Sequence, residues 1–464
     1  MHPFGRFLPL MLALAAGAAP AAPSLAARGQ AREIFARVIA FPTEVGKGEV
    51  PKLAAYLAGL FRAAGFAAAD VQVLPLGETA TLVVRYRGDG SGGRPIALPA
   101  HLDVVTAKRE DWKRDPYTLI EENGYFYGRG TYDVKEDVAL LTATFLQMKA
   151  QGFVPTRDLI LAFTGDEETD GQTAADLVGR HRELIDAEFA INADGGGGVL
   201  EEHSGAPLLY YVEGAEKSYQ SFEITTRNPG GSSSEPRTAN AIYQLADALH
   251  ALQAFRFPVM WNEWTLGDFK VAGAVTPGAL GRALARFAAD PHDQAAADEI
   301  AKDPWHVGKI CTTCVATLLR GGHAENALPQ SATATVNCRI FPGSTPEEVQ
   351  ATLQHIVGTQ AEVRALSPQP VAAASPMRAD VLAAIGRAVA AAQPGARVVP
   401  MMAVWASDAV VFRAAGIPTY GASSAFIKDS DLFSHGLDER LPVEAFYAGL
   451  TYWDVLLREL AGRR

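Results

Sequence analysis

Three short apolar runs in this chain each end abruptly on histidine or carboxylate residues, and this pattern limits the fold more than any other feature. The run 95–100 stops at His101-Leu102-Asp103, and the run 159–163 stops at Gly165-Asp166-Glu167-Glu168. The run 188–191 stops at Asn192-Ala193-Asp194 and four glycines. Runs of this length set between helical patterns read as buried strands. Open α/β sheets bind ligands outside the carboxyl ends of their strands. The chain is therefore expected to bring an imidazole and several carboxylates to one crevice. Such a crowd repels itself unless cations sit within it.

The surrounding pattern supplies the sheet. From residue 31 to 212 strands and helices alternate, with a helix at 53–64 ending at Gly65, a strand at 82–87 and a helix at 134–151 stopped by Gly152. Alternation of this kind predicts an α/β layer fold with a mainly parallel sheet. The next stretch differs: strand 218–226, helix 239–254, strands 311–319 and 331–340, a helix starting at Thr345-Pro346-Glu347-Glu348, and an edge strand at 361–363. Thr345 reads as the cap, Pro346 as the first helical residue and Glu348 as its third. Strand-helix-strand-strand-helix-strand is the ferredoxin-like α+β order. Residues 214–366 thus read as a second domain inserted into the first, itself interrupted by a long insertion at 255–307 with helical patches. The first domain would then comprise residues 27–213 and 367–464, the latter with a helix at 379–391, a strand at 398–403 and helices at 408–415 and 444–460.

Composition excludes several classes of partner. Lys plus Arg number 41 against 52 Asp plus Glu, a formal charge of −11 over 464 residues with no long basic run. Neither a nucleic acid nor an anionic membrane surface is an expected partner. At the N-terminus, His2 and Arg6 flank an apolar run of about 13 residues, followed by small residues at 19–21 and 24–26. Residues 1–26 read as a signal peptide, because a membrane span needs about 20 apolar residues. Cleavage near Ala26 would remove Arg6 and no acid, leaving 40 − 52 = −12. The mature chain is expected to be secreted or periplasmic, with no membrane span. Cys311-x-x-Cys314 has no second such pair, so structural zinc is not expected there. Cys314 and Cys338 fall on adjacent expected strands, where a hairpin centred near Asn326 would set them opposite each other; geometry decides whether they form a disulfide.

Two further positions join the crevice. Asp133 ends Gly128-Arg129-Gly130-Thr131-Tyr132-Asp133 just before a helix, and His435 lies in the loop Phe433-Ser434-His435-Gly436. Two histidines and three or four acids exceed the needs of one tetrahedral zinc. They suit two metals about 3.5–4 Å apart that share a carboxylate, with one more acid to take a proton from water.

His101-Leu102-Asp103-Val104-Val105, Gly128-Arg129-Gly130 with Asp133-Val134-Lys135, and Gly165-Asp166-Glu167-Glu168-Thr169-Asp170-Gly171 resemble, in that order, the motifs of a dinuclear-zinc peptidase family. That family includes aminoacylase, carboxypeptidase S, carnosinase and the bacterial glutamate carboxypeptidase. Asn326-Ala327-Leu328-Pro329 and Arg339-Ile340-Phe341-Pro342-Gly343 extend the resemblance into the inserted domain, and the 255–307 insertion is most similar to the carboxypeptidase S branch. The resemblance implies a zinc-peptidase catalytic domain with an inserted lid and dimerisation domain, and hence a homodimer through the lid. It implies two Zn2+ per subunit, with cobalt or manganese as substitutes, held by His101, Asp133, Glu168, Asp194 and His435. His101 and Asp194 would share one metal and Glu168 and His435 the other, with Asp133 bridging. Glu167 would be the general base and Asp103 would orient His101. Arg339 would grip a substrate carboxylate, and Asn326 would lie near the substrate.

The activity implied is that of an exopeptidase, a carboxypeptidase or dipeptidase, cutting an amide next to a free carboxylate. The alternatives are an N-acyl amino acid amidohydrolase and a catalytically impaired homologue that binds metal or peptide. Two departures bear on this choice. Many family members place a histidine that stabilises the tetrahedral intermediate where this chain has Ser232, in Gly230-Gly231-Ser232-Ser233-Ser234. Loss of such a donor costs about 10²–10³ in rate; His323, in Gly322-His323-Ala324, reads either as a loop residue or as a substitute imidazole. Glu136-Asp137 stand where Gly-Gly often follows the lysine, and read as acids favoured by the helix dipole.

Overall fold

A computed structural model describes residues 22–367 and 369–463. The basic start and apolar run of the expected signal peptide lie outside the described residues. Its expected cleavage point, near Ala26, falls in the first turn of the helix Leu25–Ile39, which Ser24 caps.

Four strands form the parallel centre of the main sheet, in the order Leu159–Thr164, Ile96–His101, Phe189–Asn192 and Thr419–Gly421. The hairpin Val71–Leu76 and Thr79–Tyr86 adds antiparallel on one side. On the other side Pro207–Glu216 adds antiparallel and carries Gly197–Leu200 and Arg397–Ala403. Side chains of the centre alternate between two apolar layers. Ile96, Leu98, Leu159, Leu161 and Phe163 meet Phe35, Val138, Phe145 and Trp453 on one face. Ala97, Ile160, Ala162 and Ala190 meet Leu177, Ile185 and Phe412 on the other. With both faces covered, these strands are apolar throughout and turn polar only where they leave the sheet. That is why their ends stand out in the sequence.

The inserted domain is a four-stranded antiparallel sheet in the order Thr313–Gly321, Ser331–Ile340, Ser218–Arg227 and Ala361–Ala365. Helices Ala241–Ala254 and Pro346–Val357 cover one face, packing Leu245, Leu252, Val349 and Leu353 on Phe222, Ile224, Val336 and Ile340. The second helix begins with the expected capping box between Thr345 and Glu348. On the sheet, Arg339 stands directly between Tyr219 and Thr313. Cys314 and Cys338 are opposite each other and form a disulfide with a Cα–Cα distance of 4.1 Å, while Cys311 is free. Only Lys217 separates Pro207–Glu216 of the main sheet from Ser218–Arg227 of the lid.

The 255–307 insertion makes three helices, Glu263–Val275, Gly278–Ala289 and Gln294–Ile300, with a small core of their own around Phe269, Leu284 and Phe287. They pack on the main sheet rather than on the lid. Trp264 is buried in the main core, where its indole N–H donates to the Ser375 carbonyl at 2.8 Å, and Gly267 lies against Pro400.

Candidate active site

His101 is the last residue of its strand and is 1% exposed. Its Nδ1 lies 3.0 Å from the main-chain oxygen of Asp103, and its Nε2 lies 3.1 Å from Oδ1 of Asp133. An Nδ1–H held on a carbonyl leaves the Nε2 lone pair free for a ligand. The Asp103 carboxylate has another task. Its oxygens accept the main-chain N–H groups of Glu167 at 3.2 Å and Glu168 at 3.0 Å. Asp103 was expected to orient His101; its main-chain oxygen takes the ring nitrogen, with its carboxylate 3.6 Å from the same nitrogen, and that carboxylate also holds the turn that carries the two glutamates. That turn leaves a strand end, so its N–H groups have no ladder partner and need an acceptor.

Asp133 is fixed by a residue far away in sequence. Glu439 accepts the N–H groups of Tyr132 at 2.8 Å and Asp133 at 3.1 Å on one oxygen. Its other oxygen accepts Gly130 N–H at 3.1 Å and the Arg129 guanidinium at 2.6 Å. The loop thus aims one Asp133 oxygen at His101 and the other at His435, whose Nε2 is 3.2 Å away. The same His435 nitrogen is 3.0 Å from Glu168. His435 has a left-handed backbone, with φ 60°. Asp194 follows the third strand, where Asn192 receives its N–H at 3.2 Å and donates to its carbonyl at 2.5 Å. The glycines after it are required by space: a Cβ on Gly196 would come within 2.5 Å of the Tyr211 carbonyl oxygen.

Ligand atoms of His101, Asp133 and Asp194 lie within 4.8 Å of one another, as do those of Asp133, Glu168 and His435, and of His101, Glu167 and Glu168. Asp133 belongs to both of the first two groups, which coincide with the two pairings that the sequence resemblance implies. The electrostatics favour positive charge among these carboxylates. Burial pushes the Asp194 carboxyl up to about 8; His101 opposes this and Asp133 adds to it. Burial and Asp194 push Glu167 well above the usual range, with His101 again opposing. Burial works against ionisation of Asp133, but hydrogen bonds from His101 and His435 hold it below the usual range. Hydrogen bonds to Asp133 and Glu168 raise His435 to about 10. Imidazole nitrogens and carboxylate oxygens gathered this closely fit two divalent metals of the zinc, cobalt or manganese kind.

The sequence reading missed Glu439, Asp408 and Asn192. Asp408 is buried, accepts from Thr164 Oγ1 at 2.6 Å and is pushed up to about 7 by burial. The partner of Glu439 is Arg129, which is buried and so calls for a buried counter-charge. Glu136 and Asp137 were read as dipole partners but lie fully inside. Asp137 accepts from Ser423, Ser424 and Trp453, whereas neither oxygen of Glu136 has a partner.

The lid residues stand apart from the metal-ligand groups. Arg339 lies 4.9 Å over the Tyr219 ring. Asn326 is exposed, and its carbonyl accepts Ser233 N–H at 3.0 Å. Ser232, exposed, pairs with Ala327 and has its hydroxyl 2.8 Å from Ser234; His323 is exposed on the same lid tip. A cavity of about 700 Å³ opens where the turn after Glu168 faces the lid, lined by Thr169, Asp170, Gln172, Tyr219, Ser221 and Leu366.

The model of peptidase family M20/M25/M40 matches residues 97–459. The chain is 25% identical over 379 residues to the human N-fatty-acyl-amino acid synthase/hydrolase PM20D1, covering 78% of this chain and 73% of that one. It is 25% identical over 390 residues to the probable carboxypeptidase S-like 2 of Dictyostelium discoideum, covering 79% and 72%. The M20 family metallo-carboxypeptidase of Sulfolobus solfataricus superposes with a TM-score of 0.71 at 16% identity, covering 93% of this chain and 99% of that one. Human carnosine dipeptidase 1 superposes with a TM-score of 0.65 at 14% identity, covering 95% and 99%.

Proposed function

Since this chain belongs to peptidase family M20/M25/M40, metal-dependent hydrolases of peptide or N-acyl amino acid C–N bonds, we propose that it cuts an amide whose amine side carries a free carboxylate. The observation that carries this reading is the placement of Arg339. It is a half-buried guanidinium with no carboxylate partner among the described residues, on the lid row that includes Tyr219, which itself lines the cavity beside the Glu168 turn. A planar guanidinium left unpaired is suited to grip a carboxylate through two N–H groups.

Metal would be held by His101 and Asp194, by Glu168 and His435, and by Asp133 between them. Two divalent ions there, zinc in this reading, would activate a water at neutral pH and polarise the amide carbonyl. Glu167 takes a proton from the attacking water and returns it to the leaving nitrogen, so that one water and one amide give an acid and an amine. The Asp103 carboxylate keeps Glu167 at that station by accepting the Glu167 main-chain N–H. Dipeptides and N-acyl amino acids both present the required carboxylate, and the N-fatty-acyl-amino acid relative favours the second class.

The disulfide Cys314–Cys338 supports an exported protein, since such bonds persist in oxidising compartments. A periplasmic or secreted product that begins near Ala26 is expected when the full chain is expressed in bacteria; a full-length cytosolic product counts against export. Among the described residues no helix is long and apolar enough to cross a membrane. The functional reading is tested by comparing an N-acyl amino acid with its carboxamide on zinc-loaded protein. The acid is expected to have at least a tenfold higher kcat/KM, and equal values would overturn the reading.

A further inference from the structure

Five cationic side chains are buried in the described residues: Arg129, Lys135, Lys217, Lys309 and Arg413. Three have a carboxylate: Arg129 with Glu439 at 2.6 Å, Lys309 with Asp268 at 2.5 Å and Arg413 with Glu216 at 3.0 Å. Lys135 donates to the Phe41 carbonyl at 2.8 Å and feels Asp103 and Glu439. Lys217 differs from all of these. It is fully buried at the crossing point between the main sheet and the lid, and the charged or ionisable groups acting on it are Cys311 and Arg339. Burial keeps the Cys311 thiol above its usual range and hence neutral, so it offers no counter-charge. The Lys217 ammonium has one hydrogen bond, to Thr313 Oγ1 at 3.2 Å.

Thr313 is the strand neighbour of Arg339 on one side, as Tyr219 is on the other. Lys217 is thus anchored at the end of the row that carries the Arg339 guanidinium, burial lowers its pKa to about 7, and neither group has a carboxylate partner among the described residues. Charging both groups there costs free energy unless a ligand supplies the missing anion. Burial, opposed by Tyr219, lowers Arg339 as well, so both groups lack compensation.

We infer that Lys217 is a positioning residue for substrate, a second cation that acts through Arg339 and Thr313 to hold the carboxylate of the amino acid being released. The inference rests on the proposed function and adds a specificity determinant to it. A ligand carboxylate seated on Arg339 meets the field of both charges. A carboxamide in its place leaves both uncompensated, so Lys217 raises discrimination between the two ligands and leaves the chemistry at the metal site alone.

The test compares an N-acyl amino acid with its carboxamide on zinc-loaded wild type, Lys217→Met and Thr313→Val. In Lys217→Met, KM for the acid is expected to rise about tenfold, with kcat within twofold and the carboxamide unaffected, as loss of one charge near a bound ion implies. In Thr313→Val the ratio of acid to carboxamide should fall by about threefold, because the ammonium keeps its charge and loses its anchor. Both ratios are taken within one protein sample, so a fraction of misfolded material leaves them unchanged. A wild-type ratio preserved in both variants overturns the inference and leaves the proposed function standing. A wild type that treats acid and carboxamide alike overturns both.

Discussion

Glu439 shows how one side chain sets the geometry of the whole centre. It takes three main-chain N–H groups around Asp133 and pairs with Arg129, all out of water. Glu439→Gln removes the charge that Arg129 needs and one of the acceptor positions. Losing one partner of a buried pair costs about 3–5 kcal/mol, and weakened support for a ligand costs about 10–100-fold in metal affinity. Thermal unfolding and zinc titration of this variant should show both losses; a variant with wild-type affinity would mean the loop holds Asp133 without it. At this scale the sequence was informative about residues and weaker about their partners. His101, Glu168 and Asp194 stood out because acids and histidines just past strand ends have few structural reasons to be there, whereas Asp133 and His435 lie on loops and drew their roles from the family resemblance. Asp103 was legible as a supporter, but which atoms it supports depends on a turn that only three dimensions define. Lys217 was invisible, since a lysine between two strands looks like any surface lysine until its burial is known.

At the scale of elements, apolar periodicity placed the central strands and the lid, and boundaries moved by one to three residues: the run 159–163 is the strand Leu159–Thr164, 134–151 is the helix Lys135–Ala150, and 53–64 is the helix Val50–Ala63. The strands Gly197–Leu200, Thr419–Gly421 and Phe426–Ile427 went unread because they are short and glycine or aromatic residues break their patterns. The 255–307 insertion was placed by chain order alone, and the indole of Trp264 ties it to the main sheet instead. The hairpin joining Cys314 to Cys338 was legible as a pairing but not as a bond. Closing a loop of 24 residues by a disulfide contributes about 3 kcal/mol through the unfolded chain. The double variant Cys314→Ser, Cys338→Ser should lower the unfolding midpoint by several degrees, and reduction of the wild type should reproduce it. An unchanged midpoint in both would show that the lid gains nothing from the bridge.

Across the whole molecule, the lid sheet ends on two edge strands, Thr313–Gly321 and Ala361–Ala365. Thr313–Gly321 ends the four-stranded sheet, and Val315, Leu318 and Leu319 are exposed along it. Long apolar edges of this kind invite pairing with another strand. We propose that a second copy of the chain covers it, in line with the homodimer implied by the family resemblance. Sedimentation should give a dimer for the wild type and a monomer for Leu318→Glu, Leu319→Glu; a monomeric wild type would remove the proposal.

The central claim is that the His101–His435 centre hydrolyses an amide with Glu167 moving the proton. It is tested most directly by measuring amino acid release from N-acyl amino acids and dipeptides alongside metal content, for wild type and Glu167→Ala prepared identically. The account predicts two metal ions per chain in both proteins, turnover in the wild type, and a fall of about 10²–10⁴ in kcat for the variant. Turnover that survives Glu167→Ala would contradict it, as would a wild type that holds two ions and cleaves nothing in either substrate class.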